Sequence, residues 1–302
     1  MCEHEIKENL LDFVGYHKKW HGNVQDFRQP YKFNQNDYII EEIFHRIGIE
    51  KGFFVEFGAW DGVFGSNTRK LFLSGWNGIL IEPDDKRFSN LQNNYRNDEG
   101  VITLKSFIDL KDNLFDDVVG KFVTDKINFC SIDIDGLDVE VFETIKIHLP
   151  DVVCIEGGQM LNPIRKSRLP PDVAKHNIQQ SLYVMNEIFQ SRGYKLLCTY
   201  QDSFFIKEEY YHLFNVKEDI FELYLDGILS YPRLPWIQQQ LNSVGLKNEL
   251  LEIIYRKVPL CSARASVQEK VRWSDEQYSA ISQVIEEIRL LRKNQINKAT
   301  ET

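Results

Sequence analysis

The run FFVEFGAWDGVFGSNT, Phe53 to Thr68, decides how the chain is read. It opens as an apolar strand, meets a carboxylate at Glu56, and turns through Gly58, Gly62 and Gly65 before Ser66, Asn67 and Thr68. Consecutive apolar positions suit a strand buried on both faces. Glycines after such a strand admit positive φ and let backbone approach a ligand closely. In an open α/β sheet, ligands bind outside the carboxyl ends of the strands. The acid and the glycines therefore sit where such a sheet would hold a ligand.

The same strand signal recurs downstream. GILIEPD, VITLKSFI, INFCSIDID and DVVCIEGG are short apolar runs separated by helical segments, which predicts parallel strands. YKLLCTYQD and SFFIKEEY are nearly contiguous through Asp202 and Ser203, which predicts an antiparallel hairpin closing the sheet. Upstream, DYIIEEIFHRIGI carries Ile39, Ile40, Ile43, Phe44 and Ile47 at helical spacing. The expected fold class is α/β: a mostly parallel, doubly wound sheet with a terminal antiparallel hairpin. The expected division is a helical N-terminal extension over 1–50, a sheet domain over 51–210 and a mainly helical C-terminal extension over 211–302. In that last part, Ser274 and Gln277 have capping-box spacing, and Ile281, Val284, Ile288 and Leu291 repeat at a–d spacing. Such a helix either docks on its own domain or pairs two copies as a homodimer.

With 302 residues and 43% hydrophobic content the chain can bury a sizeable core. A formal charge of −9 and no basic block argue against nucleic acid as a partner, since phosphate neutralisation needs clustered Lys and Arg. No apolar run reaches membrane-spanning length. MCEHEIKENLLDF has neither a basic n-region nor a long apolar h-region, which argues against a signal peptide. The five cysteines form no CxxC pair, and Cys130, Cys154 and Cys198 lie in strand-like runs, so they read as core residues of a reducing, cytoplasmic compartment.

The glycine spacing after Glu56 is G-x-x-x-G-x-x-G, unlike the G-x-G-x-x-G of dinucleotide enzymes. An acid at the strand mouth would repel a pyrophosphate and suit a ligand with a cationic amine or sulfonium; S-adenosylmethionine carries both. Glu82, at the end of the second strand, suits a bidentate hydrogen bond to two ribose hydroxyls.

Taken whole, GFFVEFGAWDGVFGSNTRKLFLSGWNGILIEPD resembles the opening of the FkbM-type methyltransferases, a branch of the class I adenosylmethionine-dependent enzymes. Those run FVE-G-x-x-DG, then SNT, then GW-G-x-x-IEP. Upstream, FNQNDYIIEEIF resembles that family's Ser-Gln and Asp signature, with Asn34 where Ser is usual. Downstream, SIDIDGLDVEVFETI resembles its IDIEG-x-E-x-x-x-L block, with Asp135 in place of Glu and Asp138 at the later acidic position. The resemblance spans residues 34–210 and implies a Rossmann-like class I methyltransferase sheet.

It also implies roles. Glu56, Gly58, Gly62 and Asp61 would shape the methionine end of the cofactor site, and Glu82 with Pro83 the ribose end. Glu56 could instead be a buried structural acid bonded to backbone amides. Ser66, Asn67 and Thr68 either cap the following helix or hold the ligand carboxylate at its N-terminus. Ser106 and Phe107, after the third strand, border the adenine or pack in the core. Asp133 and Asp135 end the fourth strand, facing methyl group and acceptor. As neighbouring carboxylates they repel, and one can rise into the range of a useful base. With Glu156, at the end of the fifth strand, they are candidate ligands for Mg²⁺ or another divalent cation. The segment from Gly157 to Asn177 carries Pro163, Pro170 and Pro171 and reads as a lid or acceptor-binding loop. Within it His176 is a candidate base, and Arg165, Lys166 and Arg168 are either anion contacts or a solvated face. The expected activity is O-methylation of a hydroxyl of a sugar or glycan precursor. A non-catalytic adenosylmethionine-binding protein and an NAD-dependent oxidoreductase are the alternatives.

Overall fold

The structure is a computed structural model, and it describes residues 36–157, 166–174, 179–199 and 202–216, with Ile220 and Leu223. These lie within one compact unit, residues 23–227; residues 1–22 and 228–302 lie outside the described residues. The expectations for the C-terminal helices and a dimerising helix fall there.

Helix α1, Asp37–Ile47, confirms the 3.6-residue pattern: Ile39, Ile40, Ile43 and Phe44 are all buried. It ends on Gly48, whose φ of 72° lets its N–H reach back to the carbonyls of His45 and Phe44. Phe44 packs edge-on against Trp76 and Phe129, fixing α1 on the sheet.

The strands follow in the predicted order: β1 (Phe53–Phe57), β2 (Asn77–Ile81), β3 (Val101–Leu104), β4 (Phe129–Ile132) and β5 (Val152–Ile155). Helices α2 (Arg69–Leu73), α3 (Asp85–Tyr95), α4 (Phe115–Val119) and α5 (Asp138–Thr144) connect them. The chain continues through α6 (Pro171–Ala174), α7 (Leu182–Gln190), β6 (Tyr194–Thr199), β7 (Ser203–Lys207) and α8 (Glu208–Tyr211). The sheet order is β3-β2-β1-β4-β5-β7-β6. Every pair from β3 to β5 is parallel, and β7 is antiparallel to both β5 and β6. The predicted hairpin is therefore present, with its second strand inserted between β5 and the edge strand β6. All four residues of β4 and of β5 are buried, as continuous apolar runs require. The β6–β7 end is clamped by stacked rings: Phe142 on Phe189 and Phe189 on Phe205, each at 3.8 Å.

This is an open, Rossmann-like α/β sheet, in which strand order reverses between β1 and β4. The crevice above that reversal, at the carboxyl ends of β1, β2 and β4, is where such a sheet receives its ligand. Among the described residues no helix is long and apolar enough to cross a membrane.

Candidate functional site

The loop leaving β1 crosses the end of β4 at Gly58. Its φ is +78°, and a Cβ there would lie 1.6 Å from the carbonyl oxygen of Asp133. Only a glycine lets these two backbones touch. One residue on, Ala59 N–H donates to the Ile81 carbonyl, tying the loop to β2. Trp60 follows with φ 51° and donates its N–H to Glu82 Oε2 at 2.9 Å. Its ring is 46% exposed and carries the Arg87 guanidinium at 4.2 Å. Asp61 turns inward on its own loop, accepting the N–H groups of Val63 and Phe64. Gly62 sits under Tyr95, whose hydroxyl donates to its carbonyl at 2.6 Å.

Glu56 is buried, and both its oxygens are committed to this loop. Oε1 accepts Asn67 N–H at 2.8 Å; Oε2 accepts the Ser66 and Thr68 hydroxyls at 2.7 and 2.6 Å. Burial pushes the Glu56 carboxyl up, against the pull of these donors. Ser66 Oγ also accepts the N–H groups of Thr68 and Arg69, so it caps the entry to α2. Asn67 extends the network, donating to Ser131 Oγ and accepting from Asn36 Nδ2, which also donates to Asp202 at 2.5 Å. Of the two roles considered for Glu56, ligand contact and buried structural acid, the geometry shows bonds that shape this loop. Ser66, Asn67 and Thr68 belong to that same buried network and do not line the cleft.

The cleft has a volume of about 230 Å³. Gly58, Glu82, Pro83, Ser106, Phe107, Asp133 and Asp135, all named as candidates from the sequence, line it together with Trp60, Arg87 and Ile134, which were not. Glu82 is 2% exposed. Besides Trp60 N–H on Oε2 it takes Asp84 N–H on Oε1 at 2.9 Å. Each oxygen has one backbone donor, which leaves each a further lone pair for a hydroxyl. Phe107, 56% exposed, stands at the rim rather than in the core.

Asp133 and Asp135 do not share a strand face, because β4 ends at Ile132. They lie in a strained turn in which Asp135, Gly136 and Leu137 have φ of 58°, 130° and 66°. Non-glycine residues rarely adopt this region unless neighbours impose it. The buried Asp138 carboxylate imposes it here, accepting Ile134 N–H at 2.9 Å and Gly136 N–H at 3.0 Å. Glu156 is aligned by its N–H bond to the Ile132 carbonyl. Carboxylate oxygens of Asp133, Asp135 and Glu156 come within 4.8 Å of one another. Desolvation, then the charges of Asp202, Glu156, Asp138 and Asp135, push the Asp133 carboxyl up to about 9. Desolvation, then Asp138, Asp202 and Asp135, push Glu156 up to about 7. Of the basic residues expected near this charge, Arg168 is paired with Glu140 and Glu143 beside α5, and Lys166 lies over the Tyr183 ring. The reading of Arg168 as an anion contact is accordingly replaced by a structural one. His176 and Arg165 lie outside the described residues, as does most of the expected lid, residues 158–165 and 175–178.

No family model matches the chain, and no curated protein does. Solved structures are similar over part of the chain. A SAM-dependent methyltransferase from Aquifex aeolicus is similar at 13% identity over 61% of this chain and 95% of its own, with a TM-score of 0.36. The N-terminal domain of EvdMO1, crystallised with SAH and D-fucose, is similar at 9% identity over 55% of this chain and 78% of its own, with a TM-score of 0.34. The citrinin polyketide synthase CMeT domain is similar at 11% identity over 57% of this chain and 51% of its own, with a TM-score of 0.37.

Proposed function

We propose that the chain is an adenosylmethionine-dependent O-methyltransferase acting on a hydroxyl of a sugar or glycan precursor. The observation that carries the cofactor is Glu82: a buried carboxylate, each oxygen holding one backbone N–H and a free lone pair, beside the close crossing at Gly58. That donor and acceptor pattern suits the two hydroxyls of a ribose. Ser106 and Phe107 would border the base, and Trp60 with Arg87 would flank the ribose.

Adenosylmethionine, when bound, supplies a methyl group on a positively charged sulfur, which an acceptor oxygen attacks in one in-line displacement. The loop held by Glu56 orients the donor, and the acid cluster at the β4 and β5 ends orients the acceptor. Asp133 would take the hydroxyl proton in its ionised form, and with its carboxyl raised to about 9 that form gains ground as pH rises or where a neighbouring cation draws the carboxyl back down. The three carboxylates of Asp133, Asp135 and Glu156 also suit a hard divalent cation such as Mg²⁺, which would lower the pKa of an acceptor hydroxyl.

Mass spectrometry of small molecules that co-purify with the protein tests the cofactor. Adenosylmethionine or adenosylhomocysteine should be found, and added adenosylhomocysteine should raise the melting temperature by mass action. A melt that NADH shifts and adenosylhomocysteine does not would replace this reading with an oxidoreductase.

A further inference from the structure

Gln179 belongs to no part of the cofactor cleft, yet it touches both halves of the acid cluster. Its Nε2 donates to Glu156 Oε2 at 2.9 Å. The same side chain also favours the charged form of Asp138, the residue that imposes the turn carrying Asp133 and Asp135.

The fit around this side chain is built on every side. Gly157, φ +118°, directly follows Glu156, and a Cβ there would lie 2.6 Å from Gln179 Cβ and 2.9 Å from its Cγ. The glycine therefore clears the space that the Gln179 stem fills. On its other side the Gly157 carbonyl is held by the Ser203 hydroxyl at 3.0 Å. The next residue, Gln180, anchors the backbone: its amide bonds both the N–H and the carbonyl of Leu169, and donates to the buried Glu140 at 2.7 Å. Ser181 then caps α7 by accepting Val184 N–H. Gln179 is thus held just before the start of α7, 4% exposed, with its amide donating to Glu156.

We infer that Gln179 is a positioning residue of the acceptor-side acids: it holds Glu156, just after β5, in the orientation that faces Asp133 and Asp135. It is neutral, and that matters. A lysine or arginine there would cancel the charge of the cluster, and a carboxylate would add to the repulsion. Only an amide supplies donors while leaving the acids free to act on an acceptor. The inference rests on the methyltransferase reading for its meaning, but not for its test.

The experiment uses the full chain with ¹³C-labelled Glu and Asp side chains, at one fixed pH, and adenosylhomocysteine as the probe of the cofactor site. Gln179→Met keeps the stem against Gly157 and removes the donors. Gln179→Glu keeps the shape and replaces the donors with charge. Both variants should bind adenosylhomocysteine as the wild type does, while the Glu156 and Asp138 carboxyl resonances shift and crystals show Glu156 turned away from Asp133 and Asp135. Unchanged resonances and an unmoved Glu156 in Gln179→Met would overturn the inference and leave Gln179 a packing residue. Loss of adenosylhomocysteine binding in both variants with Glu156 unmoved would overturn it too. A wild type that ignores adenosylhomocysteine while Glu156 still moves in the variants would sink the methyltransferase reading and leave the positioning role standing.

Discussion

Gly58→Ala is the substitution that bears most directly on how the site is built. Two glycines with nearly equal backbone angles separate the effects: Gly48 at φ +72° and Gly58 at φ +78°. A Cβ at Gly48 meets nothing within 4 Å. Gly48→Ala should therefore lose only the left-handed penalty, about 1–2 kcal/mol. At Gly58 the added Cβ would lie 1.6 Å from a backbone carbonyl oxygen, which no rotamer change relieves. The loop and the end of β4 must part, adding an overpacking penalty for a total of roughly 2–5 kcal/mol. That stays within the usual stability of a domain, so the variant should fold but melt lower than Gly48→Ala. Urea titration of both variants measures the difference, and calorimetry with adenosylhomocysteine reads the site. Gly58→Ala should lose the ligand, because Gly58 and Asp133 both line the cleft; Gly48→Ala should keep it. Equal destabilisation of the two variants, with binding intact in both, would refute the close crossing as a determinant of the site.

Glu82→Ala should weaken adenosylhomocysteine binding by about 1–3 kcal/mol, since it strands the hydroxyls and the Trp60 and Asp84 N–H groups alike; calorimetry at matched salt reads it, and unaltered affinity would remove Glu82 from the ribose site. Asp133→Asn should lose turnover yet stabilise the ligand-free protein. The folded-state pKa of Asp133 lies above the unfolded value, so its contribution to stability is fully present below about pH 4 and declines as pH rises towards about 9. The gain on substitution should accordingly be absent at acid pH and grow through neutrality, with solvent screening of this exposed side chain holding it to about 1 kcal/mol. Thermal melts in chelator across that range test the sign, and a gain largest at acid pH would contradict it. Exhaustive EDTA treatment followed by added Mg²⁺ should abolish and restore methyl transfer if the three carboxylates hold a cation; full activity in chelator would leave Asp133 as a metal-free base.

The sheet was legible because its signals are local and repeated. Each buried parallel strand shows as a short continuous apolar run, and helical spacing marks α1 without ambiguity. The insertion of β7 between β5 and β6 was not legible, because pairing order within a closing hairpin is set by packing, here the stacked Phe142, Phe189 and Phe205 rings. The turn after β4 was misread for a related reason. SIDID alternates like a strand, but the carboxylate of Asp138 captures two of its N–H groups and ends the ladder at Ile132. That competition between a side chain and the strand ladder leaves only a weak mark in sequence, an Asp closely following a Gly. Gln179 leaves none: its partner Glu156 lies 23 positions away, and only the Gly157 clearance joins them.

Glu56 and Glu82 make the same point from the other side. Both are acids at the ends of adjacent buried strands, both are nearly inaccessible, and sequence reading assigned both to the ligand. They differ in where their donors come from. The SNT triplet supplies Glu56 with two hydroxyls and an amide from one loop, and three short bonds leave little of the carboxylate for anything else. Glu82 receives a single N–H on each oxygen, from Trp60 and from Asp84. A carboxylate with one backbone donor per oxygen is oriented without being saturated, and that is the state a ribose diol requires. Of these two buried acids at neighbouring strand ends, the less fully bonded one, Glu82, is the one proposed for the ribose. By the same measure Glu156, with the Gln179 amide on one oxygen, is oriented and still open beside Asp133 and Asp135.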